Sequence, residues 1–207
     1  MIDLRARQRF ARFTTQVVVR RPRLWSLFRG PIARVFDTIA PDWDSSRVTP
    51  QHMAVLEAAF DVLERPPARV LDLGTGTGAA ARAAAARWPD AQVTGVDVST
   101  GMIREAQARA GSDRERYLIA DAAALPFADG SFDLVTLLNM IPFFDELGRV
   151  AALGGTLVVA FSRGADTPIW VPLDRVRNEL ARRGFGDFRE VTAGGGASLL
   201  AVRGAVS

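Results

Sequence analysis

Between Val70 and Ala81 the chain reads VLDLGTGTGAAA, an apolar run of strand character that passes through three spaced glycines straight into an alanine-rich helix. This junction constrains the fold more than any other stretch. Gly74, Gly76 and Gly78 remove side chains where the backbone must turn tightly or approach a ligand, and the unpaired N–H groups of the following helix favour a negative group. Strand and helix signals then alternate. Strands are expected at residues 69–73, 92–96, 117–120, 132–138 and 156–161, with helices over 77–88, 99–110, 145–153 and 172–183. The tail FREVTAGGGASLLAVRG has two strand-like runs about Gly194, Gly195 and Gly196, the pattern of an antiparallel hairpin. The expected fold is α/β: a doubly wound, mostly parallel sheet with that hairpin on one edge. Ahead of it, Thr49-Pro50 reads as a helix start, followed by Met53, Leu56, Phe60 and Leu63 at helical spacing until Pro66-Pro67.

Two acids flank the glycines. Gly74, Gly76 and Ala79 also satisfy a dinucleotide fingerprint, but Asp72, two residues before the first glycine, would repel a pyrophosphate across a low-dielectric crevice. A ligand carrying an ammonium group would be attracted instead, and its carboxylate could be taken by the helix N-terminus. Asp97 ends the apolar run VTGV about 20 residues beyond the turn, where a carboxylate accepts hydrogen bonds from both hydroxyls of a ribose. That position suits any nucleoside ligand. The bland reading of Asp97 is a cap on the next helix, a job for which Ser99 is better placed.

Cysteine is absent and only one histidine is present, which removes disulfide scaffolds, thiolate metal sites, Cys nucleophiles and multi-histidine metal cages. All 26 basic residues are arginine, so the pI of about 10.7 overstates a formal net charge of only +3. The excess sits at the N-terminus: residues 1–36 hold nine arginines against Asp3. We read residues 1–48 as an Arg-rich helical arm or lid and 49–207 as the main domain. Within the arm, Leu4, Phe10, Phe13 and Val17 share one side of a helix, as do Leu24, Leu27 and Phe28, with Arg21-Pro22 as the break; both helices are expected to cross the main domain. Val17 to Val19 is too short and too Arg-flanked for a signal-peptide core, so a cytoplasmic location is expected. The arm also leaves peripheral contact with an anionic membrane, through residues 1–36, or with RNA as competing readings; nucleic acid is the less favoured partner.

With four segments in place, the sequence resembles the class I S-adenosylmethionine-dependent methyltransferases, in particular those acting on small and quinone-like molecules. The segments are VLDLGTGTG, GVDVSTGMI, ADAAALPFADGSFDLV and ALGGTLVV, within a likeness that spans residues 36 to about 203. The resemblance implies a Rossmann-like sheet, N-terminal helices and S-adenosyl-L-methionine as cofactor. It implies a cofactor site built from Asp72, Gly74, Thr75, Gly76 and Gly78, with Asp97 on the ribose, Val98 and Met102 on the faces of the adenine, and Asp121 and Ala122 at its edge. Asp121 would accept from the exocyclic amine. Phe36-Asp37 and Trp43-Asp44 resemble the family's aromatic-Asp segment, which covers the methionine end.

The chain departs from the family after the fourth strand. Relatives often carry a histidine and an extended helix there, whereas this chain has LLNMIPFFDELGRVAALGG. Asn139 falls at the strand end, in reach of cofactor or acceptor, and Pro142, Phe143 and Phe144 would line an apolar wall. The expected partner is a small apolar or aromatic methyl acceptor. Displacement at a sulfonium needs alignment and dryness more than an acid or base, so no residue is assigned a catalytic role; His52, Asp42, Asp44, Asp145 and Glu146 are the candidate bases. The alternatives are a cofactor-binding regulatory protein without catalysis, and a membrane- or RNA-associated methyltransferase that uses the arm. Acceptor and oligomeric state stay open.

Overall fold

The computed structural model describes residues 4–204. Five strands, β1 (Arg69–Leu73), β2 (Gln92–Asp97), β3 (Glu115–Ile119), β4 (Phe132–Leu138) and β5 (Ala151–Phe161), run parallel. They are joined at one edge by the antiparallel pair β6 (Phe185–Ala193) and β7 (Gly196–Arg203). The strand order is β3-β2-β1-β4-β5-β7-β6. Winding therefore reverses between β1 and β4, and an open parallel sheet leaves its crevice beyond the carboxyl ends of the strands at that point. Residues alternate across the sheet as a strand requires: Val70 joins one buried apolar cluster while Leu71 and Leu73 join the other.

Helices α1 (Leu4–Arg20), α2 (Trp25–Ile39) and α3 (Trp43–Arg47) form the arm. Beyond it come α4 (Pro50–Asp61), α5 (Ala79–Arg87), α6 (Thr100–Ala108), α7 (Phe144–Val150) and α8 (Leu173–Ala181). Thr49 caps α4 by accepting from the His52 amide at 3.1 Å, and Ser99 caps α6 by accepting from the Met102 amide at 3.1 Å.

Four expectations shift. The helix after the glycine turn starts at Ala79, not at residue 77, because Gly78 precedes it in the left-handed conformation (φ +85°). The third strand begins at Glu115, two residues early. The expected helix over 145–153 stops at Val150, and β5 starts at once with Ala151 paired to Phe132. Gly154 and Gly155 are thus not helix terminators but part of an irregularity within β5. Gly154 has φ +75°, and a side chain on Gly155 would lie 2.9–3.1 Å from the carbonyl oxygens of Ala152, Asp133 and Phe132.

The fourth change concerns the arm. Helix α1 buries Thr14, Thr15, Val18 and Val19, while Phe10 and Phe13 are more than half exposed; on α2, Trp25 is buried and Leu27 faces out. The side chain of Leu4 lies outside the described residues. A count of apolar spacing selected the wrong face because two threonines, neutral in hydropathy, sit on the inner one; Thr15 can go there because its hydroxyl donates to the Ala11 carbonyl at 2.8 Å.

The hairpin turn gives a direct test. Gly194 and Gly195 both have positive φ, as a tight two-residue hairpin demands. A methyl on Gly194 would also lie 2.8 Å from the Ala54 Cβ on α4, whereas one on Gly195 would meet nothing within 4 Å. Urea unfolding is expected to show a loss of about 1–2 kcal/mol for Gly195→Ala from backbone strain alone. Gly194→Ala should lose about 2–4 kcal/mol, since overpacking against α4 adds to the same strain.

Candidate functional site

At the end of β1 the chain buries a carboxylate almost completely. Asp72 is 1% exposed, and its register places it opposite Gly95 on β2 and Thr136 on β4. Its two oxygens accept from the Thr75 hydroxyl at 2.7 Å and the Thr136 hydroxyl at 2.9 Å. Burial pushes its pKa up to about 6 against those two hydrogen bonds, and the neighbouring charge of Asp97 adds to the rise. Gly95 makes the arrangement fit. A Cβ there would stand 2.6 Å from the Thr75 hydroxyl and 2.7 Å from the Tyr117 ring.

The glycines of the turn differ in purpose. A side chain on Gly78 would come within 2.9 Å of the Tyr117 ring, and one on Gly74 within 2.7 Å of the Met140 sulfur. At Gly76 the nearest atoms are Trp43 Nε1 at 3.8 Å and Met102 Sδ at 3.9 Å. Gly78 is therefore small so that the protein can pack, whereas a Cβ on Gly76 would only touch an indole and a thioether at ordinary contact distance, and what calls for glycine there is its positive φ of +54°.

Asp97, only partly exposed at the end of β2, accepts from the Gly76 amide at 3.0 Å and the Ser99 amide at 2.9 Å. Burial raises its pKa, and those two amides oppose the rise. It thus ties the turn to α6, as the capping reading anticipated in part, and two of about four acceptor positions stay free. Met102 is fully buried, so in this structure it is a core residue below Gly76; Val98 packs partly buried on the same apolar cluster as Ala122. The arm reaches this end too. Asp37 accepts from the Ser99 hydroxyl at 2.7 Å and the Gly101 amide at 2.8 Å, which hold its carboxyl below the usual range, the amide contributing most.

Asp121, just past β3, is held by residues that sequence reasoning did not single out. Trp25 Nε1 donates to one oxygen at 2.8 Å, as does the Ala123 amide at 2.9 Å, and Arg29 pairs with the other oxygen at 2.9 Å. Trp25 also meets Phe143 edge to face, with ring centroids 5.4 Å apart. No local pattern pairs an indole with an acid 96 residues away; a buried tryptophan's need for an acceptor was the one available hint. Met140 and Thr136 were missed for the same reason.

Asn139 sits at the end of β4 with φ +54°, a conformation asparagine tolerates. Its side chain is spent on the neighbouring strand: the amide nitrogen donates to the Ser162 hydroxyl at 2.8 Å, and its oxygen accepts from the Ser162 amide at 2.9 Å.

The candidate bases separate by pairing. Glu146 is clamped by Arg149 and by the Leu125 amide, which lower its pKa, the arginine first. Asp145 pairs with Arg183 at 2.7 Å. Asp44 accepts from Thr77 and pairs with Arg82 and Arg109. Asp42 is exposed. His52 is kept neutral by burial and by the charges of Arg163 and Arg47, so it alone combines a free proton-accepting nitrogen near pH 7 with partial shelter.

Comparison with known proteins places this geometry. Residues 70–157 match the family model described as a methyltransferase domain. A malonyl-[acyl-carrier protein] O-methyltransferase of Geobacter sulfurreducens is 37% identical over 60% of this chain, which spans about half of that relative's length (47%). A demethylmenaquinone methyltransferase of Roseiflexus castenholzii is 31% identical over 73% of this chain and 70% of its own. Among solved structures, the complex of the Haloferax volcanii Trm112 methyltransferase activator with a putative methyltransferase aligns with a TM-score of 0.68 at 20% identity, covering 82% of this chain and 97% of that one. At that identity the last likeness speaks for the fold.

Asp72 makes stability depend on pH in a direction opposite to that of a salt-bridged acid. Its folded pKa of about 6 lies above the ordinary 3.8, so between those values the folded chain keeps a proton the unfolded chain has released. Stability conferred by the protonated form is full below pH 4 and is lost as pH rises through 6, by on the order of 3 kcal/mol. Asp72→Asn is accordingly expected to raise unfolding stability at pH 7 by about 1–3 kcal/mol and to flatten the pH dependence between 4 and 6 in urea titrations.

Proposed function

The chain belongs to the class I S-adenosylmethionine-dependent methyltransferase family, and on that premise we propose that it is an active methyltransferase for a small, apolar or aromatic acceptor. The observation that carries the reading is the set of three carboxylates around the glycine turn: Asp72 near the end of β1, Asp97 closing β2 and Asp121 just past β3. Hydrogen bonds from the protein fix each one, and Asp97 and Asp121 retain acceptor positions. Three carboxylates about one turn suit a ligand rich in ammonium, hydroxyl and amine donors, and suit a phosphate badly.

When bound, S-adenosylmethionine supplies an electrophilic methyl on a cationic sulfur. In this reading the buried charge of Asp72 attracts the ammonium from beneath the turn, and the Thr77 amide is the turn donor left for the carboxylate because those of Thr75, Gly76 and Gly78 are already bonded within the protein. Asp97 takes the ribose hydroxyls, and the remaining lone pair of Asp121 takes the exocyclic amine. Trp25, Ile141 and Phe143, all buried, keep water from the side where an acceptor would lie. Of the acceptors named by the two relatives, this apolar wall favours the quinone-like ring over a carrier-bound acid.

Calorimetric titration tests the reading. S-adenosylmethionine is expected to bind and NAD is not. Asp97→Ala should weaken binding roughly tenfold to a hundredfold, the worth of hydrogen bonds to a charged acceptor. Affinity should also fall about tenfold per pH unit below pH 6, where Asp72 takes up a proton and ceases to attract an ammonium. NAD binding by the parent protein overturns the cofactor assignment. Tight cofactor binding with no methyl transferred to a panel of quinones and phenols overturns the enzymatic part and leaves a binding protein.

A further inference from the structure

The outer surface of the arm has no role in the site just described, and its chemistry is distinctive. Phe10, Phe13, Leu27 and Val35 are 54%, 58%, 67% and 57% exposed. Helical spacing sets Phe13 between Arg9 and Arg20 on the outward side of α1, and Leu27 beside Arg34 on that of α2, with Arg23 in the 3-10 turn (Pro22–Leu24) that leads into α2. All four arginines are exposed, and none is ion-paired with a carboxylate of the described residues. Among the described residues of α1 and α2 the only acid is Asp37, which is engaged with α6. The rings of Phe10 and Phe28 meet at 6.5 Å, so the apolar strip runs across from one helix to the other.

A second feature lies on the flank of the same helix. Arg12, Arg20 and Arg175 line a cleft of about 280 Å³ with Val19 and Trp170 between α1 and α8, and no acid lines it. Arg12 and Arg175 each spend one donor on a carbonyl, Ala165 at 3.2 Å and Val19 at 3.4 Å, and their remaining donors are uncommitted. A cleft of that size holds a single phosphate-bearing headgroup.

We infer that the outward face of α1 and α2 docks on an anionic lipid bilayer, with Phe13 and Leu27 entering the acyl boundary, the arginines facing lipid phosphates, and the Arg12–Arg175 cleft taking one headgroup. No described helix is long and apolar enough to cross a membrane, so this is attachment in the plane of the interface. Charge complementarity fixes the sign of the partner. The aliphatic members fix its kind: Leu27 and Val35 gain nothing from a phosphodiester backbone or a stacked base but are stabilised by hydrocarbon. The inference is independent of methyl transfer and is read without cofactor.

Sedimentation of the full chain with vesicles tests it. Binding is expected to vesicles of phosphatidylglycerol mixed with phosphatidylcholine, not to phosphatidylcholine alone, and should weaken about fivefold for each of Arg9, Arg20, Arg23 and Arg34 changed to Gln. Phe13→Ser with Leu27→Ser should weaken it by about tenfold or more while thermal melting stays put, because both side chains are already in water. Arg12→Ala with Arg175→Ala should weaken it as well, and millimolar inorganic phosphate should not release the parent. Absence of binding to anionic vesicles, serine variants that bind as the parent does, release by phosphate, or tighter binding to an RNA homopolymer would each overturn the inference.

Discussion

An acid sealed inside a parallel sheet must have its oxygens satisfied from the strands on either side, and Asp72 meets that demand at the place where the winding reverses. One oxygen is taken by Thr136 on β4 and the other by Thr75 in the glycine turn, so a single carboxylate ties the two central strands to the loop between β1 and α5. The adjoining constraints follow from it. Gly95 has to be glycine to admit the Thr75 hydroxyl, and Tyr117 fills the space that Gly78 and Gly95 leave. The desolvation cost is not fully recovered, as the raised pKa shows, and such a residual cost is what a cationic ligand arriving nearby would offset.

The arm completes what the sheet begins. Asp97 closes β2 and Asp121 stands on the loop after β3, and side chains where a strand gives way to a loop are positioned loosely by the sheet alone. Gly76 and Ser99 amides steady the first, while Trp25 and Arg29 reach down from α2 to steady the second. Helix α2 therefore works on two fronts, with its inner side ordering the candidate site and its outer side presenting exposed leucine and arginine. The short passage from α7 into β5 is consistent with this division. Just ahead of α7, Phe143 closes against Trp25 of the arm.

Much of the site was legible because its chemistry is local. The strand–glycine–helix junction announces itself in twelve consecutive residues, and the distance from the turn to Asp97 is set by one helix and one strand of ordinary length. Caps at Thr49 and Ser99 were legible for the same reason, since donor and acceptor lie three residues apart. Partners far along the chain were not. Trp25 with Asp121 and Asp37 with Ser99 are joined only once the arm has docked. Asn139 could be placed at a strand end, yet its commitment to Ser162 depends on β4 and β5 being neighbours.

The arm marks the boundary most clearly. Composition along the chain determined that the N-terminal segment is helical, cationic and broken near Pro22, because those properties depend on each residue and its near neighbours. Which side of α1 turned inward was decided by the surface it met: Thr14, Thr15, Val18 and Val19 fit that surface, and Phe10 and Phe13 were left in water. Burial is a property of two surfaces together, so a sequence can specify an amphipathic helix and its charge while only the packed structure decides which of its faces is spent on the fold.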